Sequence, residues 1–193
     1  MGLYYSLPVF VYILGLYTKN FQLMKKSLVL YLYDSGTKVL MVAYVVLATF
    51  LAIWYPWVFN LEELSLVLKA IFPVHRGLYQ LKVANFWCFT NMLIKWERIF
   101  SPDFLVKLSI LLTLMFSLPS LIVIYFNPRN SYFVKGLFNV SLAFFFFSYH
   151  VHEKTILLPL AMLVLNAKSM GSYLFDFISF STFTLYHLLK EDK

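Results

Sequence analysis

The run Val39–Phe59 carries no charged side chain. It is long enough for the about 20 residues that a helix needs to cross a hydrocarbon core. Trp54, Tyr55 and Trp57 gather at its far end as an interfacial belt, and Pro56 is placed to end or kink the helix there. Leu108–Phe126 has the same character, with Pro119 inside it. Two such runs set the solvent before any fold is considered. The rest of the chain agrees: 61% of its residues are hydrophobic and only 13% charged, against about 25% charged in a soluble domain. The expected class is an all-α, polytopic transmembrane helical protein.

Charge then sets the orientation. Lys and Arg number 16 against 9 Asp and Glu, a net charge of +7. In so apolar a chain this excess belongs to positive-inside loops and lipid headgroups; no soluble basic face for nucleic acid is visible. Leu3–Tyr17 is a marginal span. Thr18–Lys38 is basic and reads as cytosolic, with Ser27–Tyr33 lying on the membrane surface. After Val39–Phe59 the long stretch 60–107 is expected in the lumen. Leu61–Ala70 makes a short helix there, Pro73 and Gly77 break it, and Ser101-Pro102-Asp103 starts the next helix. Gly136–Tyr149 and Thr155–Leu165 are two short or tilted spans, and Tyr173–Leu189 is a last span containing Asp176 and His187. The sum is about six crossings in a single transmembrane domain, residues 1–193, with loop 60–107 and segment 150–154 on the same lumenal side. Cys88 is alone, so no disulfide forms within the chain. Asn139-Val140-Ser141 is a glycosylation sequon inside an apolar run and is expected to be unused.

Candidate chemistry gathers at His150-Val151-His152-Glu153-Lys154, between the apolar runs Leu142–Phe147 and Ile156–Leu165. Ionisable groups at membrane depth are rare and usually pair or meet a substrate. An ordinary interfacial helix end with its histidines on backbone carbonyls would look the same. Two histidines at i and i+2 do not share a helix face, and the metalloprotease spacing is i and i+4, so no metal site is expected. The second polar-aromatic stretch is Lys82-Val83-Ala84-Asn85-Phe86-Trp87-Cys88, too aromatic for a solvated linker.

Taken together, Phe72-Pro73-Val74-His75-Arg76-Gly77-Leu78, the Lys82–Cys88 run, and His150–Lys154 followed by Leu157-Leu158-Pro159-Leu160 resemble the α-1,3-glucosyltransferases of asparagine-linked glycosylation that use dolichyl phosphate glucose. The form of the Lys82–Cys88 run is closer to the enzyme adding the first glucose. The resemblance implies part of a C-type glycosyltransferase (GT-C) fold in the endoplasmic reticulum membrane, multi-pass, with its active site at the lumenal face. It covers only the C-terminal half of a typical member. Gln80 and Leu81 stand where members usually carry acidic residues, and the family's catalytic carboxylate, in a first lumenal loop, has no counterpart; a fragment without its N-terminal half, a truncated sequence and a reduced form of the family all stay open.

What the resemblance implies chemically is transfer of glucose to the mannose arm of the lipid-linked oligosaccharide, with inversion. Inverting displacement needs a base for the acceptor hydroxyl, which is not assigned here. It also needs positive charge and N–H donors on the departing phosphate. The expected donor-phosphate ligands are His150, His152, Lys154 and Arg76, with Glu153 orienting one of them. Asn85, Phe86 and Trp87 are expected to line the sugar or acceptor. No cofactor is expected, since the dolichol-linked donor is a substrate; partners are the lipid-linked oligosaccharide and membrane lipid. Two other classes stay open on the residues alone: a transporter or channel using the His-Glu-Lys segment as a relay, and a non-catalytic membrane subunit.

Overall fold

The computed structural model describes residues 3–18, 27–71, 83, 85–149 and 151–191. Among them there is no strand. The helices are α1 (Leu3–Thr18), α2 (Leu28–Val58), α3 (Leu61–Ile71), α4 (Phe86–Thr90), α5 (Trp96–Ile99), α6 (Pro102–Phe126), α7 (Asn130–Phe147), α8 (Leu157–Leu165) and α9 (Ala167–Glu191). A 3-10 turn, Glu153–Ile156, precedes α8. α9 kinks at Met170, whose φ of −128° is not helical. All six expected crossings fall on helices. Two of these are long and apolar enough to cross a membrane, Leu28–Trp57 and Pro102–Phe126, with mean hydropathy 2.1 and 2.2; α1 and α8 are apolar but shorter. The described chain divides into two compact units, Ile13–Arg76 and the remainder, Met1–Tyr12 with Gly77–Lys193.

In the first of these units, α2 corrects one expectation. Ser27–Tyr33 does not lie apart on the membrane surface; it is the first two turns of α2. Ser27 caps the helix, its Oγ accepting from the Leu30 N–H at 3.4 Å. Asp34, which would otherwise oppose burial in lipid, is paired one turn on by Lys38 at 2.7 Å. With both obstacles met locally, the helix runs unbroken to Val58, two residues past Pro56, whose missing N–H falls in the last turn. The expected Leu61–Ala70 helix is α3. Asn60 caps it, Oδ1 accepting from the Glu62 and Glu63 N–H groups while Nδ2 donates to Glu63 Oε1 at 2.9 Å.

The second unit is built on the α6–α7 pair. Ser101 accepts from the Phe104 N–H and Pro102 occupies the first helical position, so α6 starts at the expected signal. It begins ahead of Lys107, which rides exposed on the helix rather than closing a loop. One face of α6 is buried at Leu105, Ser109, Thr113, Ser117, Leu121 and Ile124. The three small polar residues near its middle let another backbone come close. Asn127-Pro128-Arg129 is short enough to return the chain antiparallel as α7. The two helices meet closely at Gly136, where an added Cβ would fall on the Ile124 side chain. Ser141 and Val140 are wholly buried, and the Asn139 amide donates to Ser120 Oγ at 3.0 Å, so the sequon is built into helix packing. The start of α1 packs on α7 through Tyr4 against Phe144 and Tyr12 against Phe133.

Candidate functional site

α7 stops at Phe147 and extended backbone at Ser148 and His152 separates it from α8. Two helices are therefore observed between Asn130 and Leu165, as expected, with the ionisable segment at their junction. A single helix through both apolar runs would overshoot a core of about 30 Å and bury its charges near the middle.

The junction is held by named bonds. The Thr155 N–H donates to the His152 carbonyl at 2.8 Å and the Thr155 hydroxyl donates to the same oxygen at 2.6 Å. Tyr4, almost wholly buried, hydrogen-bonds the Thr155 side chain. Tyr5 donates to the Leu158 carbonyl at 2.8 Å. α1 thus pins both the turn and the start of α8. The His152 ring is exposed, and its Nδ1 accepts from the Lys154 N–H at 3.3 Å. In the neutral ring that contact puts the proton on Nε2, so the outward nitrogen is a donor. Lys154 is exposed beside it. The combination is one oriented N–H and one ammonium, able to receive an anion.

The other signature stretch arrives at the same end of α7. Val83 is buried in one cluster with Phe145, Val151 and Ile156. Asn85 is buried and caps α4, Oδ1 accepting from the Cys88 N–H at 2.9 Å. Trp87 is 0% exposed and its Nε1 donates to the Phe147 carbonyl at 2.9 Å. That bond satisfies a carbonyl freed by the end of α7. Trp96 closes on Trp87 edge-to-face at 5.7 Å. Trp87 has no surface left for a sugar, which corrects the expectation for that residue: it is the anchor that fixes the stretch, not a wall of the site. Asn85 and Phe86 do line an open space. With Cys88, Phe89, Phe146 and Phe147 they border an apolar hollow of ≈ 550 Å³. Cys88 is half-buried rather than sealed in a core.

Of the remaining expected site residues, His150 and Arg76 lie outside the described residues, as do Pro73 and Gly77, and for Glu153 only the backbone is described, at the start of the 3-10 turn. Among the described residues no group of three His, Cys, Asp or Glu could hold a metal ion. Asp176 borders a second apolar hollow with Phe138 and Phe177.

Sequence reasoning missed four contributors at this end. Tyr149 packs against the buried pair Trp87 and Leu105. Burial pushes its phenol up from the ordinary value, and the carboxylates of Glu97 and Asp103 push it the same way. Two carboxylates, one on α5 and one in the first turn of α6, are thus near enough to act on Tyr149. Neither spacing nor composition joined residues 97 and 103 to 149. Thr155 was nearer to legible, since a Ser or Thr three residues after an extended residue is a common turn closure.

The sequence matches the ALG6, ALG8 glycosyltransferase family over residues 1–193. The chain belongs to this family. Among its relatives is the protein of Dictyostelium discoideum named probable dolichyl pyrophosphate Man9GlcNAc2 alpha-1,3-glucosyltransferase, 40% identical over all of this chain and 36% of the relative. The Gallus gallus protein named dolichyl pyrophosphate Man9GlcNAc2 alpha-1,3-glucosyltransferase is 37% identical over the same shares. Its Saccharomyces cerevisiae namesake is 33% identical over all of this chain and 35% of its own length. The chain spans a little over a third of these relatives. Membership in the ALG6, ALG8 family brings with it the C-type glycosyltransferase membrane fold, to which this all-α chain contributes a part.

Proposed function

We propose that this chain is the part of an α-1,3-glucosyltransferase that holds the donor, dolichyl phosphate glucose, while glucose passes with inversion to the lipid-linked oligosaccharide in the endoplasmic reticulum membrane. One observation carries the reading: the two signature stretches, more than 60 residues apart, pack as one body through Val83 on Val151 and Trp87 on Phe147. The family match across the whole chain and the relatives' names support it over a transporter.

In this reading, the donor phosphate sits at His152 and Lys154, with His150 and Arg76 as further ligands. As the bond from anomeric carbon to phosphate oxygen breaks, negative charge collects on the phosphate. The Nε2–H of His152 and the Lys154 ammonium stabilise it, and a donor ring already oriented by the Lys154 backbone N–H has little reorganisation to undergo. Glu153 orients one of these groups. The apolar hollow beside Asn85 and Phe86 suits the isoprenoid chain, and Asn85 and Phe86 are the residues left to meet sugar or acceptor. The base that takes the acceptor proton is not assigned to a residue of this chain.

The test is glucose transfer from dolichyl phosphate glucose to the lipid-linked oligosaccharide by the full-length protein containing this chain. His152→Ala is expected to lower turnover by about 10²-fold or more, the usual effect of deleting one transition-state donor, with thermal unfolding unchanged because the ring is exposed. Unimpaired transfer by that variant ends the assignment.

A further inference from the structure

At the end of the α6–α7 pair away from His152, a hollow of ≈ 240 Å³ opens between the two helices beside Pro119 and Gly136. Its polar edge is Ser120, Tyr132, Lys135 and Asn139. Lys135 is half-buried. Between Asp103 and Glu153 the sequence has no carboxylate, and Asp103, the one acidic residue on these two helices, lies in the first turn of α6, at the other end of the pair. Asn139 uses one amide hydrogen on Ser120 and keeps the other. Tyr132 brings a phenol that is 40% exposed. Arg129, exposed one turn before Tyr132, adds a second cation at the same end. A cation and several N–H and O–H donors around a small cavity make a receptor for a phosphate oxyanion.

The surroundings indicate what carries that phosphate. Leu118, Ile122, Val123 and Phe126 stand exposed on the same stretch of α6, in a helix apolar enough to span a membrane. A lipid whose headgroup met Lys135 would lay its acyl chains along that flank, a contact a soluble anion lacks. We propose that this hollow binds the anionic phosphate headgroup of a membrane lipid, at a site separate from the His152 end and independent of what is bound there.

The purified full chain in a neutral detergent can be given dioleoyl phosphatidic acid, dioleoylglycerol or inorganic phosphate, and retained ligand counted by native mass spectrometry. Phosphatidic acid is expected to stay bound and dioleoylglycerol to be lost. Lys135→Gln should weaken phosphatidic acid retention on the order of fivefold, the usual effect of one basic residue at an anionic lipid surface. Lys135→Arg should retain it, which separates lost charge from lost folding. Lys107→Gln, an exposed lysine at the other end of α6, should change nothing. Equal retention of dioleoylglycerol, equal loss in Lys107→Gln, or no loss in Lys135→Gln would each overturn the site. Displacement by millimolar inorganic phosphate would overturn its assignment to a lipid.

Discussion

Among the described residues α2 and α6 are the helices long and apolar enough to cross a membrane, and their mean hydropathies are almost equal, 2.1 and 2.2; yet none of the most apolar window of α2 is buried and 28% of that of α6 is. Hydropathy tells which helices tolerate lipid and says nothing about which ones pack. Both helices carry small residues, but α6 buries Ser109, Thr113 and Ser117 while Ala43, Ala48, Thr49 and Ala52 of α2 are exposed. α6 repeats Ser109, Thr113 and Ser117 at helical spacing and answers Gly136 with Ile124. α2 presents Leu40, Tyr44, Leu47 and Leu51 outward along its length. Without water to drive helices together, close backbone approach and matched polar groups supply the association.

The sharpest way to test the packed side is to remove its anchor. Trp87→Ala deletes a wholly buried indole, leaves the Phe147 carbonyl without its donor, and removes the partner ring of Trp96. The expected loss is about 3–5 kcal/mol, as for large aromatic deletions in cores, read by thermal unfolding in detergent. Trp87→Phe should recover part of it but leave the carbonyl unpaired. If both variants unfold like the parent, the stretch 85–90 is not docked as described. Next in size is Gly136→Ala. The added Cβ falls on the Ile124 side chain, which is itself 0% exposed and has little room to retreat. A loss of about 1–3 kcal/mol is expected, and Ile124→Ala in the same chain should restore some of it by vacating that space.

Most of the helical plan was legible because charge and apolar length decide where a chain can enter a membrane. The Ser101-Pro102-Asp103 start of α6 and the break between α7 and α8 both followed from local chemistry. The start of α2 departs from the sequence expectation because Asp34 and Lys38, polar as separate residues, cancel across one turn. The candidate site was legible as two motifs but not as contacts. His152 could be picked from its type, whereas the roles of Tyr4, Thr155 and Trp87 depend on long-range packing that no spacing encodes. Trp87 shows the limit most clearly: an aromatic beside a polar loop reads equally as a sugar platform or as a core anchor until its burial is known.

The seam also holds one group that works against it. The Ser117 hydroxyl is wholly buried and has no hydrogen-bond partner among the described residues, while Thr113, one turn away, donates to the Ser109 carbonyl at 2.7 Å. A buried, unpaired hydroxyl is unfavourable, and removing it without changing the shape of the site relieves that. Ser117→Ala should therefore raise stability by about 1 kcal/mol, whereas a drop would show that the hydroxyl is bonded after all. Smallest of all is the expected effect on α2. Val46 is 59% exposed, so Val46→Ala removes two methyl groups that touch little protein. It should shift unfolding by no more than about 0.5 kcal/mol, the range of exposed positions remote from packing. A loss approaching that of Gly136→Ala would mean that α2 is packed as α6 is, and that equal hydropathy does after all imply equal burial.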